Sequence, residues 1–335
     1  MKHLMAWSCG GTLAAWIFAA ASGIAAAQSP VTTSAQAYPV KPLRIVTGFL
    51  PGGSTDVIAR LVAARLAEVF NQSVVVENRP GASTAIAAER VATSPPDGYT
   101  MLLVASSTTS QSALRRKSLP YDLERDFAFI SLLAVGPFVL VVHPSVPAYG
   151  AKELIALARA RPGKLNYGSP GVGSVNHLAA ELFRIRAGIN MVHVPYKGSA
   201  EATVANASGE IDLSFPSVPA GLPLIESRKV RALAVTGAKR TGVLPNVPTI
   251  GEAALPGYEY TGALGLSAPA ATPKDVIARL NAAIVKIVNT PEMREAVAKH
   301  GFEAQTTTPE QYAAFIRNDI AKIAAVVEAT GMKVE

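Results

Sequence analysis

Three short segments of the sequence are rich in glycine, serine and threonine, and each follows a run of apolar residues. They are Gly52–Thr55 (GGST), Ser106–Ser110 (SSTTS) and Gly168–Ser174 (GSPGVGS). Glycine lets a backbone approach a ligand closely, and serine and threonine hydroxyl groups donate hydrogen bonds. The chemistry that these residues predict is the binding of an anion by uncharged donors.

A single segment of this kind is better explained as a tight turn that caps a helix. Three of them, at corresponding strand ends, favour a binding site. We expect Asp56 to cap its helix or to orient the first segment, because an unpaired carboxylate would repel an anion.

Enzyme motifs are missing from the sequence. It has no G-x-S-x-G elbow and no phosphate-binding loop ending in Gly-Lys-Ser/Thr, and Gly171-Val172-Gly173 lacks the third glycine of a dinucleotide fingerprint. His177 and Glu181 share a helix face at a spacing that could bind a metal, but no third ligand is evident, so we expect a packed or hydrogen-bonded histidine. The sequence therefore predicts no enzyme, no metal and no cofactor.

Strands and helices alternate in the first part of the chain. The apolar pattern predicts strands at Leu43–Phe49, Val74–Val76 and Tyr99–Ala105, with helices at Val57–Phe70 and Ser83–Thr93. This order predicts a mainly parallel sheet flanked by helices, which is an α/β fold. In such sheets ligands bind at the carboxyl ends of the strands, where helix N-termini attract anions.

The same alternation then starts again. We expect further strands at Phe129–Val135, Phe138–Val142, Leu165–Gly168, Met191–Val194, Ile211–Phe215 and Val230–Val235. The intervening helices are predicted at Lys152–Arg161, at Ser174–Ala187 and from Ser199, and the C-terminal third is mostly helical. No low-complexity linker separates the halves, so we expect two domains with a cleft between them. Donor segments from both domains would suit a ligand with a negative group at each end.

The N-terminus has the pattern of a secretory signal peptide. Lys2 precedes an uncharged apolar run from Leu13 to Ala26, and Ala25–Ala27 offers a cleavage site, with Ala35–Ala37 as an alternative. We therefore expect residues 1–27 (alternative end 37) to be removed on export. Since Cys9 is the only cysteine, the mature chain has no disulfide.

The net charge of +7 comes from 31 basic and 24 acidic residues that are scattered along the chain. The one tight basic cluster is Arg115-Arg116-Lys117, which is too small for a nucleic-acid surface. A mild positive field is compatible with small anionic ligands.

From about Tyr38 to its end the chain resembles the extracytoplasmic solute receptors of tripartite tricarboxylate transporters, also called Bug receptors. The segments that carry the resemblance are YPVKPLRIVTGFLPGGSTDVIAR, VVVENRPGA, PPDGYTML, LPYD, NYGSPGVGSVNHLAAELF, MVHVPYKGSAEA, GEIDL, VRALAVTGAKR, LPNVPTIGEA and LSAPAATPKDVIARLN.

The resemblance implies a periplasmic, two-lobed Venus-flytrap fold of the type II binding-protein class. We expect residues 38–140 plus 250–335 to form lobe 1 and residues 141–249 to form lobe 2. It implies a monomer that binds a small carboxylate and passes it to the integral-membrane subunits of a transporter. The site residues that it implies are Gly52, Gly53, Ser54, Thr55, Ser106, Ser107, Thr108, Thr109, Ser169, Gly173, Ser174 and His177, and Ser217 is a further candidate.

One departure from the family pattern concerns Phe215-Pro216-Ser217, where relatives commonly carry an Asp-Asn-like pair. Because a carboxylate is lost there, plain carboxylates are favoured over amino acids as ligands. Two other functions stay open at this stage. One is a periplasmic sensor that presents its closed form to a signalling partner, and the other is an exported enzyme.

Overall fold

The computed structural model describes residues 38–52, 54–115, 118–196 and 198–331. The predicted signal peptide and Gly53 lie outside these residues. The strands are β1 (Leu43–Thr47), β2 (Val74–Asn78), β3 (Thr100–Ala105), β4 (Phe127–Pro137), β5 (Val139–Val142), β6 (Asn166–Ser169), β7 (Val192–Pro195), β8 (Leu213–Ser214), β9 (Arg231–Val235), β10 (Thr261–Pro269) and β11 (Glu303–Ala304).

Helices separate most of these strands, as expected for an α/β fold. They are α1 (Ser54–Phe70), α2 (Ala85–Ala92), α3 (Ser106–Leu114), α4 (Ala151–Ala160), α5 (Val175–Ala187), α6 (Ser199–Ser208), α7 (Val218–Glu226), α8 (Ile250–Ala253), α9 (Lys274–Val288), α10 (Pro291–Lys299) and α11 (Pro309–Thr330). A short 3-10 helix, Ala82–Thr84, precedes α2.

The strands form two sheets, with the orders β11-β4-β10-β3-β1-β2 and β7-β6-β8-β5-β9. The predicted α/β class with two sheets is confirmed, but each sheet is mixed. In the first sheet β1 is parallel to β2 and β3, whereas β10 is antiparallel to β3 and β4. In the second sheet β6 is parallel to β7 and β8, whereas β5 is antiparallel to β8 and β9.

The strand predicted at Phe129–Val135 to open the second set of elements belongs to the first sheet, as β4. The reason is its pairing with β10, which comes from more than 120 positions later in the chain and cannot be recognised from local periodicity. The chain passes from the first sheet to the second between Pro137 and Val139, and it returns between Val235 and Thr261.

Both faces of the first sheet are covered, which explains why its strands are apolar at nearly every position. Side chains alternate between the faces of a strand. Thus Met101 and Leu103 of β3 pack toward α1 and α9, while Leu102 and Val104 pack toward α2 and α11.

Helix α11 and Thr236 both connect the sheets. Helix α11 packs Tyr312 and Ile316 into the first-sheet core and Ile323 and Val326 into the second-sheet core. Buried Thr236 forms hydrogen bonds with both segments through which the chain passes between the sheets. Its Oγ1 accepts a hydrogen bond from the Phe138 N–H (2.8 Å), and its carbonyl accepts one from the Tyr260 N–H (2.9 Å).

In the part of the chain that the structure describes, no helix has both the length and the apolar character that a membrane crossing requires.

Candidate functional site

The predicted first-sheet site residues lie at the carboxyl ends of β1 and β3, which are neighbouring parallel strands. Helix α1 begins at Ser54 and α3 begins at Ser106, so both N-termini open onto the same edge of the sheet. Thr55 lies in the first turn of α1. Gly53 and the side chain of Ser54 are outside the described residues.

Asp56 holds the loop between β1 and α1. Its buried carboxylate accepts hydrogen bonds from the Gly52 N–H (3.0 Å), from Asn78 Nδ2 (2.7 Å) and from two nitrogen atoms of Arg60 (2.9 and 3.1 Å). Burial alone would raise the pKa of Asp56, but the hydrogen bonds from Arg60, Gly52 and Asn78 outweigh it and hold the pKa at about 2. Asp56 is therefore a charged anchor for the loop, and its oxygen atoms are already engaged by donors of the protein.

Ser106–Thr109 do not form a loop after β3. They form the first turn of α3, which follows β3 directly. Ser106, Thr108 and Thr109 are buried there, and Ser106 Oγ accepts a hydrogen bond from the Ala263 N–H of β10 (2.7 Å). The hydroxyl groups of Ser106 and Thr108 fasten α3 to the sheet, and Ser107 alone of the four residues is partly exposed.

The segment after β2 was not predicted to belong to the site, yet its residue Thr84 contacts both the segment after β1 and the segment after β3. Its Oγ1 lies 2.9 Å from Thr108 Oγ1. A Cβ on Gly48 would lie only 2.6 Å from the Cβ of Thr84, so the backbone after β1 needs glycine at this close approach. Thr84 has φ +81°, which is a rare conformation for a β-branched residue. Strain of this kind is concentrated at functional sites.

In the second sheet, the segment after β6 is closed on itself by Ser169. The buried Ser169 Oγ contacts the carbonyl (3.0 Å) and the N–H (3.2 Å) of Gly171 and lies 2.7 Å from His193 Nε2. His193 lies on β7 and was not among the predicted site residues.

The next residues of this segment start α5. The Ser174 hydroxyl is the N-cap and accepts a hydrogen bond from the His177 N–H (3.3 Å). The buried ring of His177 accepts one from the Gly173 N–H at Nδ1 (3.0 Å). The Gly173 N–H is thus used within the protein, and His177 supports the loop through this bond.

Ser217 follows β8, the parallel neighbour of β6, and is the N-cap of α7 without a capping bond from its hydroxyl group. Asn176 of α5 joins the two strand ends, because its Nδ2 donates to the Phe215 carbonyl (2.7 Å). A polar crevice of about 10 Å³ lies between these ends and is lined by Ser169, Asn176, Ser214 and Pro216, among others. This volume is about that needed for one water molecule.

The two groups of candidate residues are linked through their helices. Helix α3 contacts α5, and Ala113 of α3 packs against the cores of both sheets.

Two buried hydroxyl groups near the first-sheet edge are unsatisfied. Thr47 Oγ1, at the end of β1, and Ser107 Oγ, in the first turn of α3, have no hydrogen-bond partner among the described residues. A buried hydroxyl group without a partner costs free energy, so these two groups are donors that a ligand or water could satisfy.

The spacing of His177 and Glu181 does not create a metal site. Both oxygen atoms of Glu181 accept hydrogen bonds from Arg184, and Oε1 also accepts one from the Tyr167 hydroxyl (2.6 Å). No group of three residues suited to hold a metal ion occurs in the described ranges.

A groove of about 640 Å³ lies elsewhere, between α9, α11 and β4, with Phe129, Ile277 and Arg317 among its lining residues. It borders Ala270, just beyond the end of β10. Since β10 runs antiparallel to β3, this groove is at the amino-terminal end of β3, opposite the loops described above. Its position is therefore not the one at which α/β sheets bind ligands.

Comparison with protein families gives one match that covers most of the chain. The family described as tripartite tricarboxylate transporter family receptor (TctC) matches residues 58–332. Protein BugT of Bordetella pertussis is 37% identical over 320 residues, which are 95% of this chain and 97% of BugT.

Solved structures agree with this match. Rpa4515 of R. palustris, determined with adipate, is 35% identical with a TM-score of 0.76, covering 88% of this chain and 99% of that one. MatC (Rpa3494) of Rhodopseudomonas palustris, determined with bound malate, is 30% identical with a TM-score of 0.72, covering 87% and 100%.

Proposed function

Because the chain belongs to the tripartite tricarboxylate transporter receptor family, we propose that it binds a small organic acid with two or more carboxylate groups in the periplasm and delivers it to the membrane subunits of a tripartite transporter. It acts as a binding protein without turnover of its ligand. The structures of two relatives, one with adipate and one with bound malate, support a dicarboxylate.

The observation that carries the proposal is the pair of donor-rich helix N-termini, one from each sheet. Helix α3 brings the unsatisfied Ser107 hydroxyl, and α5 brings Ser174 and its first-turn N–H groups. Helix N-termini attract carboxylates through unpaired N–H groups and the helix dipole. A ligand with one carboxylate at each end would be held by both.

We further propose that residues 38–140 plus 250–335 and residues 141–249 act as two lobes that close on the ligand. The carboxylate-binding residues are those predicted above other than His177, which supports the loops together with Thr84 and His193. Neither Ser217 nor Pro216 carries a charge, which favours a ligand without an amino group. The functional unit is a monomer.

A thermal-shift screen of the mature protein tests the ligand class. Adipate, malate and tricarboxylates are compared with the matching amides at pH 7.5. A ligand at a hundred times its Kd should stabilise the protein by about 2.7 kcal/mol. Amides that bind as well as the acids would contradict a carboxylate site.

Small-angle scattering tests the closure. A ligand held by both lobes should reduce the radius of gyration, because its binding energy is fully realised only in the closed form. An unchanged scattering curve at saturating ligand would contradict the two-lobed arrangement.

N-terminal sequencing of the periplasmic fraction tests export, for which we expect a chain that begins near Gln28 or Tyr38.

A further inference from the structure

Two histidine rings are stacked directly behind the loop that begins α5. The ring centroids of His177 and His193 are 3.9 Å apart with an angle of 16° between the planes, and Tyr167 continues the stack 5.0 Å from His193. Each histidine also holds the loop, His177 through the Gly173 N–H and His193 through Ser169 Oγ.

The bond from Gly173 fixes the protonation of His177. A ring nitrogen can accept a hydrogen bond only when it carries no proton, so His177 must be neutral with its proton on Nε2. If Nδ1 became protonated, two N–H donors would face each other across 3.0 Å. The bond would be lost, and the loop would have to move.

We propose that His177, backed by the stacked His193, holds residues 169–174 in their ligand-binding arrangement only while it is neutral, so that acidification releases this loop and weakens ligand binding. The proposal rests on the function proposed above for the loop. It assigns to the two histidines a positioning role in place of a ligand contact.

The surroundings of the rings favour the neutral form. Burial and the adjacent His193 hold the pKa of His177 at about 4, although Glu181 acts in the opposite direction. Burial also lowers the pKa of His193. Arg184 and Tyr167 are the other titratable groups beside the pair.

Among the neighbouring helices, α3 has no charged residue, and Lys322 and Glu328 of α11 are exposed. Asp319 of α11 is partly buried, and burial raises its pKa to about 6, but it acts on Tyr260 and Tyr312. A cavity of about 320 Å³, lined by His177, His193, Glu181 and Thr330 among others, lets solvent protons reach the rings.

The first test needs no ligand. NMR spectra of the ¹³C-histidine- and ¹⁵N-labelled mature protein are followed from pH 7.5 to 3.5. We expect the Gly173 amide resonance to shift with the same midpoint as the His177 ring. A Gly173 amide that does not respond when His177 titrates would overturn the proposal.

The second test uses His177→Gln, whose side-chain oxygen can still accept the Gly173 N–H but does not titrate. His300→Gln, the same change in the C-cap of α10, is the matched control. With adipate as the probe, wild-type affinity should fall about fourfold more than that of His177→Gln by pH 3.5, as linkage to a pKa of about 4 requires. The protonation of adipate itself affects both proteins equally.

Equal acid profiles for wild type and His177→Gln would refute the role of His177. His193→Phe keeps a stacked ring without a second charge, so the His177 midpoint should move to higher pH in this variant. An unmoved midpoint would refute the role of His193. Absence of adipate binding at pH 7.5 would count against the proposed ligand class alone, because the NMR test does not depend on it.

Discussion

The anchor formed by Asp56 gives the most quantitative prediction. The change Asp56→Asn keeps the shape of the side chain and removes its charge. The carboxylate is buried, with 1% of its residue surface exposed, and its pKa is about 2 in the folded protein against an ordinary value of 3.8.

A pKa that is lower in the folded state means that the charged form stabilises the fold. The contribution is present above pH 3.8 and is lost as the pH falls through 2. The difference between the two pKa values corresponds to about 2.5 kcal/mol, of which about half remains at pH 3. We therefore expect Asp56→Asn to lose about 2.5 kcal/mol of unfolding free energy at pH 7 and clearly less at pH 3.

Urea unfolding of a chain of residues 28–335, followed by circular dichroism at both pH values, measures this difference. Asp275→Asn is the matched control, because Asp275 is an exposed carboxylate in the first turn of α9. Its removal should cost at most about 1 kcal/mol. If Asp56→Asn unfolds at the wild-type urea concentration at pH 7, or if its deficit is the same at both pH values, the carboxylate is not held as described.

Three further predictions concern single residues, each measured by urea unfolding. Ser174→Ala removes the N-cap of α5 and should cost about 1 kcal/mol in the ligand-free protein, besides weakening carboxylate binding in calorimetry; an unaltered fold and affinity would contradict both roles. Gly52→Ala should lower the free energy of unfolding by about 1 kcal/mol, because Gly52 has φ +87°, although no atom lies within 4 Å of the new Cβ. Gly242→Ala is the control and should be neutral, because Gly242 is equally unobstructed and has no positive φ. Thr236→Val leaves the Phe138 N–H without its side-chain acceptor and should cost about 1–3 kcal/mol, and a neutral effect would show that this tie between the chain crossings is dispensable.

Much of the fold could be predicted from local patterns. The β1–α1–β2 unit follows from an apolar run, a glycine-rich turn and helical spacing. Helix α3 could not be found this way, because SSTTSQSAL contains few residues with a high helix propensity. Its stability comes from packing against α11 and from buried hydroxyl bonds such as Ser106 to Ala263.

The candidate site was less predictable than the fold. The donor segments could be identified from composition, but the residues that hold them depend on tertiary contacts. A positive φ is expected at glycine and not at Thr84, and the stacking of His193 on His177 joins residues of different elements. Asn78, at the end of β2, likewise donates a hydrogen bond to Asp56 of α1.

The position of β10 has a consequence for how the protein is made. β10 lies between β3 and β4, and the other neighbour of β4 is the still later β11. A growing chain that ends before Thr261 therefore leaves β4 without any strand partner in its own sheet, whereas all strands of the second sheet lie within residues 139–235. The second sheet can form from a continuous stretch of chain, but the first cannot be completed until nearly the whole protein has been synthesised. Folding of the first sheet is therefore expected to be delayed relative to that of the second sheet.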